Sequence, residues 1–274
     1  MVKKIVISML LNRVQIGIIE NGRLVEYYLE RNGSEGLVGN IYKGRVENIL
    51  PGMEAAFVDL GVGKNAFLYV ADILKREPQQ DIKDALKKRQ AVLVQVSKEA
   101  VGDKGPRVTT EISLPGRYLV LLPYQEHFGV SRQIVAEAER ARLKEIAASI
   151  CPPKKGLIVR TVAEGCRWSE LSEDLEFLLE EWAAIEKRFR EKSAPALIYE
   201  DKNLLHRVLR DLLTADVSEI IVDGSELYSQ VREELKSMGA KYPVKVECYG
   251  GKLNLFEYLG LLKDLEQARS RKVW

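Results

Sequence analysis

The first thirty residues alternate between apolar and less apolar positions, a period of two that predicts β-strands. Segments 14–18 and 24–29 carry this pattern. The dipeptide Asn21-Gly22 lies between them and is a strong signal for a two-residue hairpin turn. The polar segment 31–36 contains two glycines and predicts a domain boundary.

The pattern from Gly39 to about Thr110 is that of an all-β region. It predicts five short strands with glycine-rich turns, among them segments 40–46, 54–60, 66–70 and 91–96. So many short strands in about seventy residues are typical of a small barrel of the oligonucleotide-binding type.

After Gly116 the pattern changes to mixed helix and strand. A long helix is predicted with Ser169 as its N-cap residue and Pro195 beyond its end, because leucines recur there at helical spacing. The other predicted helices are 136–150, 204–213, 225–238 and 255–268, and the predicted strands are 156–161, 219–223 and 244–246. This alternation predicts an open α/β architecture.

Composition narrows the class of protein without naming a function. The 274 residues carry 42 basic and 40 acidic side chains, a net charge of +2, so a polybasic nucleic-acid-binding tail is excluded but a local basic patch is not. No apolar run approaches the roughly 18 residues that a membrane span needs, and the N-terminus does not resemble a signal peptide. We therefore expect a cytoplasmic protein.

Three cysteines and two histidines offer no metal site in this pattern. Cys151, Cys166 and Cys248 are widely spaced and odd in number, so neither a zinc site nor a disulfide framework is indicated, and we expect buried thiols. His127 and His206 have no nucleophile or ligand set near them in sequence, which favours surface or packing roles.

Two phenylalanines of the barrel region are candidates for contact with nucleic acid. Phe57 and Phe67 lie on neighbouring predicted strands, where one open face would let bases stack on both rings. Lys43, Arg45 and Lys64 are close enough in sequence to contact phosphates. The alternative is that both phenylalanines fill the core of the barrel, and the pattern does not decide between the two.

Three segments together resemble the N-terminal part of bacterial ribonuclease E/G, and the resemblance runs over essentially the whole chain. They are Gly39–Val46 (GNIYKGRV), Glu54–Asp59 (EAAFVD) and Gly156–Thr161 (GLIVRT). The resemblance implies an α+β multidomain protein in which an S1/OB-type β-barrel is inserted in a split RNase H-like α/β domain and is followed by an α/β 5′-sensor region. The implied boundaries are 1–35 and 205–274 for the RNase H-like parts, 36–110 for the barrel and 111–204 for the sensor.

The resemblance also assigns roles to residues. Phe57, Phe67 and Lys104 match the surface that holds single-stranded RNA, to which we add Lys43 and Arg45 from the pattern. The residues expected around the 5′ phosphate of the RNA are Gly116, Val120, Arg160 and Thr161, with Arg132, which follows Ser131, in support. A guanidinium matches the acceptor oxygens of a terminal monophosphate, and a threonine hydroxyl adds a donor. Without the resemblance, an ordinary salt bridge would be the favoured role of Arg160.

By resemblance, the intact protein is a Mg²⁺-dependent endoribonuclease, a homo-oligomer that acts on single-stranded, preferably 5′-monophosphorylated RNA in RNA processing and decay. Its two Mg²⁺-binding aspartates belong to a DNase I-like subdomain that would follow Trp274. We therefore expect this chain to be a monomeric fragment that binds RNA, with no catalytic or metal-binding residue of its own. The alternative is a stand-alone S1-type RNA-binding module without nuclease activity.

The RNase H-like part is not expected to be catalytic by itself. Such sites need clustered carboxylates around two metals, and the first strand, Lys4–Met9, contains none. Asp59, Asp216 and Asp223 are interpreted as turn and strand-end residues.

Overall fold

A computed structural model describes residues 3–11, 13–31, 36–74, 81–201, 203–214, 216–237 and 244–269. The strands are β1 (Lys3–Leu10), β2 (Arg13–Glu20), β3 (Arg23–Arg31), β4 (Ile41–Leu50), β5 (Ala55–Asp59), β6 (Ala66–Tyr69), β7 (Ala91–Lys98), β8 (Arg107–Thr109), β9 (Leu114–Pro115), β10 (Leu119–Leu122), β11 (Phe128–Val130), β12 (Gly156–Val159), β13 (Ala196–Tyr199), β14 (Val217–Asp223) and β15 (Lys245–Tyr249). The helices are α1 (Ile82–Ala85), α2 (Glu137–Ile150), α3 (Trp168–Glu191), α4 (Leu204–Leu212), α5 (Ser225–Ser237), α6 (Leu255–Tyr258) and α7 (Leu262–Arg269). The chain divides into two compact units, 1–35 with 202–274, and 36–201.

The first unit is one five-stranded sheet built from both ends of the chain. Its strand order is β15-β14-β1-β2-β3, in which β1, β14 and β15 run parallel and β1, β2 and β3 antiparallel. Asn21 and Gly22 both have positive φ angles between β2 and β3, which confirms the predicted hairpin turn. Helices cover both faces of this sheet, since Ile5 and Ile7 pack against α4 and α5, whereas Val6 packs against α6 and α7.

Polar groups of this sheet are paired with neighbours in the same unit. Ser8 on β1 donates to Asp223 Oδ2 at 3.0 Å. Asp223 is the last residue of β14, as expected for a strand-end residue. Lys245 and Lys4 contact the two carboxylate oxygens of Glu219 at 2.7 and 2.8 Å. These lysines lower the pKa of Glu219 to about 2.

The second unit begins with a closed barrel of five strands, in the order β4-β5-β6-β8-β7 with β7 pairing back to β4. Its core is formed by alternate residues of each strand, among them Ala56, Val58, Ala66 and Leu68. Strand β13 pairs antiparallel with the first residues of β4, from Ile41 to Lys43. The prediction of a small barrel in a mixed α/β protein is therefore confirmed.

The rest of the second unit is a four-stranded sheet, β11-β12-β10-β9, packed against α2 and α3. Leu119, Leu121, Leu157 and Trp182 are buried between the sheet and the helices. The same core includes Ile41 of the barrel strand β4. The barrel and this sheet thus share one compact unit, 36–201, and the predicted boundary between them near residue 110 stays a prediction.

Three local predictions were wrong in detail. Helix α3 begins at Trp168, so Ser169 lies inside its first turn and is not the N-cap residue. The predicted final helix is two helices, separated where Gly260 adopts a left-handed φ of 71°. Of the three thiols only Cys166 is buried, while Cys151 is half-buried and Cys248 exposed.

Candidate nucleic-acid interface

Phe57 and Phe67 lie on the outside of the barrel. Their sequence neighbours on β5 and β6 point into the core, so the two phenylalanines point away from it and are half-buried. They are direct partners across the two strands, with ring centroids 5.5 Å apart and planes at 80°. The alternative that these rings fill the barrel core is therefore wrong.

The loop that carries Lys104 is held against the start of β6. A Cβ atom at Gly105 would lie 1.9 Å from the carbonyl oxygen of Asn65, so only glycine permits this close approach. Lys64 Nζ donates to the carbonyl oxygen of Gly102 at 2.7 Å and fixes the same loop. These two contacts hold the loop against Lys64 and Asn65, shortly before Phe67 in the chain. The Lys104 side chain on this loop is exposed.

Lys43 and Arg45 are engaged elsewhere. Lys43 Nζ donates to the carbonyl oxygens of Phe189 and Lys192 at 2.6 and 2.7 Å, so its charge lies at the C-terminal end of α3. Arg45 forms ion pairs with Glu47 and Asp59 at 3.0 and 3.1 Å. We therefore leave both residues out of the candidate RNA-binding surface, in contrast to the sequence prediction.

A third aromatic ring, which the sequence reasoning missed, belongs to the same outer face. Tyr69 is 39% exposed, and its ring centroid lies 4.5 Å from that of Phe67. The guanidinium carbon of Arg107 lies 4.6 Å from the centroid of Tyr69. The period of two along β6 was the available signal, because Tyr69 follows Phe67 by two residues.

The residues predicted around a 5′ phosphate converge at one end of the four-stranded sheet. Strand β12 ends beside the start of β10 and the end of β11, with Val159 paired to both Leu119 and Val130. The backbone N–H of Arg160 donates to the backbone carbonyl oxygen of Tyr118 at 2.8 Å, and Arg160 Nη1 donates to the carbonyl oxygen of Gly116 at 2.6 Å. The guanidinium is thus fixed where these chain segments meet.

Hydroxyl and amide groups surround Thr161 on the neighbouring loop. Its Oγ1 lies 2.8 Å from Ser131 Oγ and donates to Gln133 Oε1 at 3.0 Å. Arg132, between these two residues, is exposed. Arg140 Nη1 donates to the carbonyl oxygen of Ser131 at 2.6 Å and thereby holds this loop. Gln133 and Arg140 were not identified from the sequence.

Val120, one residue into β10, is half-buried.

Asp174 of α3 binds the backbone of the segment that contains Gly116, and this residue was not identified from the sequence. Its carboxylate accepts from the N–H groups of Arg117, Tyr118 and Leu119 at 3.0, 2.9 and 2.9 Å. Burial raises the pKa of Asp174, and these N–H donors oppose the shift. A Cβ atom at Gly116 would lie 2.7 Å from a carboxylate oxygen, so glycine is required for this contact.

Among the described residues, no group of three or more histidine, cysteine, aspartate or glutamate side chains is placed to hold a metal ion. Asp59 accepts from the N–H of Gly61 at 2.9 Å, and Asp216 accepts from Thr214, as expected for turn residues. His206 is buried and contacts Glu234 at 2.8 Å, a packing role.

Within the described ranges, no helix has the length and apolarity to cross a membrane.

Comparison with known proteins identifies relatives of this chain. Residues 113–274 match the ribonuclease E/G family. Ribonuclease G of Escherichia coli strain K12 is 36% identical over 284 aligned residues, which cover 100% of this chain and 58% of that protein. Ribonuclease G of Haemophilus influenzae is 37% identical over 273 residues, covering 96% and 56%. Ribonuclease E of Synechocystis is 39% identical over 243 residues, covering 86% and 36%. The chain therefore spans little more than half the length of the ribonuclease G relatives.

Proposed function

Because the chain belongs to the ribonuclease E/G family, we propose that it binds single-stranded RNA and recognises a 5′ monophosphate as part of an endoribonuclease. The observation that carries the proposal is the outward pair of phenylalanines on the barrel, since partly exposed rings on neighbouring strands suit base stacking. The intact protein would act in RNA processing and decay, including maturation of ribosomal RNA and decay of messenger RNA.

In the proposed RNA-bound state, bases stack on Phe57 and Phe67. Each base stacked on an aromatic side chain contributes roughly 1–3 kcal/mol by alanine substitution. Lys104, exposed on the adjoining loop, is the cation that we assign to a flanking phosphate. Two stacked bases would therefore outweigh the small net charge of +2 as a source of affinity.

The 5′ end would bind where Gly116, Arg160 and Thr161 converge. A terminal monophosphate carries nearly two negative charges, which the guanidinium complements, while the threonine hydroxyl would exchange its bond to Gln133 for one to a phosphate oxygen. Arg132, which adjoins Gln133 on the loop after β11, is exposed and adds positive charge. A 5′ hydroxyl lacks the charge, and a 5′ triphosphate is larger than the monophosphate.

The proposal assigns binding and 5′-end recognition to the described residues, and no step of phosphodiester cleavage. Mg²⁺-assisted hydrolysis requires carboxylates that hold the metal, and the described residues include no group of three or more metal-binding side chains. We therefore name no catalytic residue in this chain.

The test measures the affinity of the 274-residue chain for one short unstructured RNA, prepared with either a 5′ monophosphate or a 5′ hydroxyl. We expect the monophosphate to bind more tightly, and Arg160→Ala to abolish this difference without changing the affinity for the hydroxyl form. Phe57→Ala should weaken both forms equally, because stacking does not depend on the terminus.

Matched controls are an exposed arginine and an exposed phenylalanine outside the proposed site. Arg232→Ala on α5 and Phe177→Ala on α3, whose side chain is 50% exposed, should leave both affinities unchanged. Equal binding of the two RNAs by wild type would refute 5′-end recognition. An unchanged affinity in Phe57→Ala would refute the stacking surface.

A further inference from the structure

We propose that Tyr69 and Arg107 form a third base-binding position beside Phe57 and Phe67, so that the barrel stacks three nucleotides of single-stranded RNA instead of two. This inference rests on the proposed function, in which the two phenylalanines bind bases. It adds residues that neither the resemblance nor the spacing of the motifs identified.

Tyr69 and Arg107 lie on one continuous surface with Phe57 and Phe67. Phe67 is paired with Phe57 on one side and with Arg107 on β8 on the other, so these side chains form a row across three neighbouring strands. Tyr69 follows Phe67 by two residues and therefore points to the same face. The three aromatic rings are in successive contact, at 5.5 Å from Phe57 to Phe67 and 4.5 Å from Phe67 to Tyr69.

The ring of Tyr69 is held in place while it is still exposed. Arg107 lies over the ring and is fixed by Asp72, with Nε to Oδ2 at 2.8 Å and Nη2 to Oδ1 at 3.0 Å. Such a two-bond contact restricts the guanidinium plane, and the plane in turn restricts the ring. An ordered platform loses little side-chain entropy when a ligand binds.

The chemistry of Tyr69 and Arg107 also suits a nucleotide. A tyrosine ring and a guanidinium plane are both surfaces on which nucleobases stack, and the positive charge of Arg107 complements a neighbouring phosphate. Tyr69 is 39% exposed and the Arg107 side chain 37%, so both are open to a ligand. An isolated exposed tyrosine would need no explanation, whereas this one continues an aromatic surface already proposed to bind bases.

The experiment titrates a fluorescently labelled 5′-hydroxyl oligouridylate into the full chain, so that recognition of a 5′ phosphate does not contribute. We expect Tyr69→Ala to raise the dissociation constant by about 5- to 150-fold, the range that corresponds to the loss of one stacked base. Tyr69→Phe keeps the ring and should bind as wild type does. Tyr258→Ala, which removes a 60%-exposed tyrosine from the other unit, is the matched control and should change nothing.

The outcomes separate this inference from the proposed function. If Phe57→Ala weakens binding and Tyr69→Ala does not, the third position is refuted and the two-base surface stands. If neither variant weakens binding, both proposals fail. If Tyr69→Phe weakens binding as much as Tyr69→Ala, the hydroxyl is responsible and the stacking role is refuted.

Discussion

Asp174 offers the sharpest test of how the candidate 5′-phosphate site is built. Its carboxylate is the acceptor for three consecutive backbone N–H groups, those of residues 117–119, and Gly116 precedes them. Replacing Asp174 with alanine removes this acceptor and leaves the three donors without it. We expect the segment to loosen and the site to lose its shape, while the barrel is unaffected.

The size of the effect follows from the number and charge of these bonds. A hydrogen bond to a charged group contributes roughly 1.5–3 kcal/mol. The cost of burying the carboxylate, which is also why its pKa is raised, offsets part of this stabilisation. We therefore expect a local loss of about 3 kcal/mol, at the lower end of the range for breaking a buried charged pair.

Hydrogen exchange of a peptide spanning 114–122 measures this loss directly. A loss of about 3 kcal/mol corresponds to roughly 100-fold faster exchange of the affected amides. Asp174→Asn keeps one acceptor oxygen and should give a smaller acceleration, and Glu173→Ala, at an exposed neighbouring position, should give none. Asp174→Ala should also reduce the preference for 5′-monophosphorylated RNA.

Exchange within threefold of wild type in Asp174→Ala would refute the argument that this carboxylate holds the segment. Faster exchange with an unchanged preference for the monophosphate would instead show that the segment around Gly116 does not shape the phosphate site.

Three further predictions concern single contacts. Flanking lysines hold the pKa of Glu219 in the folded protein at about 2, below its value in the unfolded chain. The stabilisation from these contacts is therefore complete above about pH 4.5 and is lost as the pH falls towards 2. The thermal midpoint of Glu219→Gln should consequently fall less than that of wild type between pH 6 and pH 3. Gly105→Ala drives a Cβ atom against the Asn65 carbonyl and should weaken 5′-hydroxyl RNA binding in anisotropy titrations, whereas Gly52→Ala, which meets no atom within 4 Å, should not. Lys43→Met should lower the thermal midpoint, because it removes a cation from the end of α3, yet leave RNA affinity unchanged.

The barrel was predictable from the sequence, but the direction of its aromatic side chains was not. Residues 55–58 and 66–70 are apolar at almost every position, so a period of two does not tell which alternate set faces the core. Packing decides, because the small Ala56 and Ala66 fit the interior of a narrow barrel together with Val58 and Leu68. The phenylalanines are consequently left on the outside.

Contacts between residues distant in sequence account for the site predictions that the structure changed. Lys43 was predicted to contact phosphate because it lies close in sequence to the barrel phenylalanines, but its partner carbonyl at Phe189 is 146 residues further along the chain. Asp174 was missed for the same reason, since its backbone partners lie 55 to 57 residues earlier. Local pattern carries no information about such pairs.

The near-neutral charge is compatible with RNA binding because both proposed contacts need few cations. Stacking on the barrel requires none, and the 5′ phosphate is assigned the guanidinium of Arg160, with Arg132 in support. Both contacts lie in the compact unit 36–201, so an RNA held at one of them meets the other at a raised effective concentration. Few phosphates would be neutralised, so few counterions would be released, and affinity would fall less steeply with salt than for a polybasic protein. Selectivity would then come from the 5′ end, where the charge of the terminal phosphate would distinguish two RNAs of identical sequence.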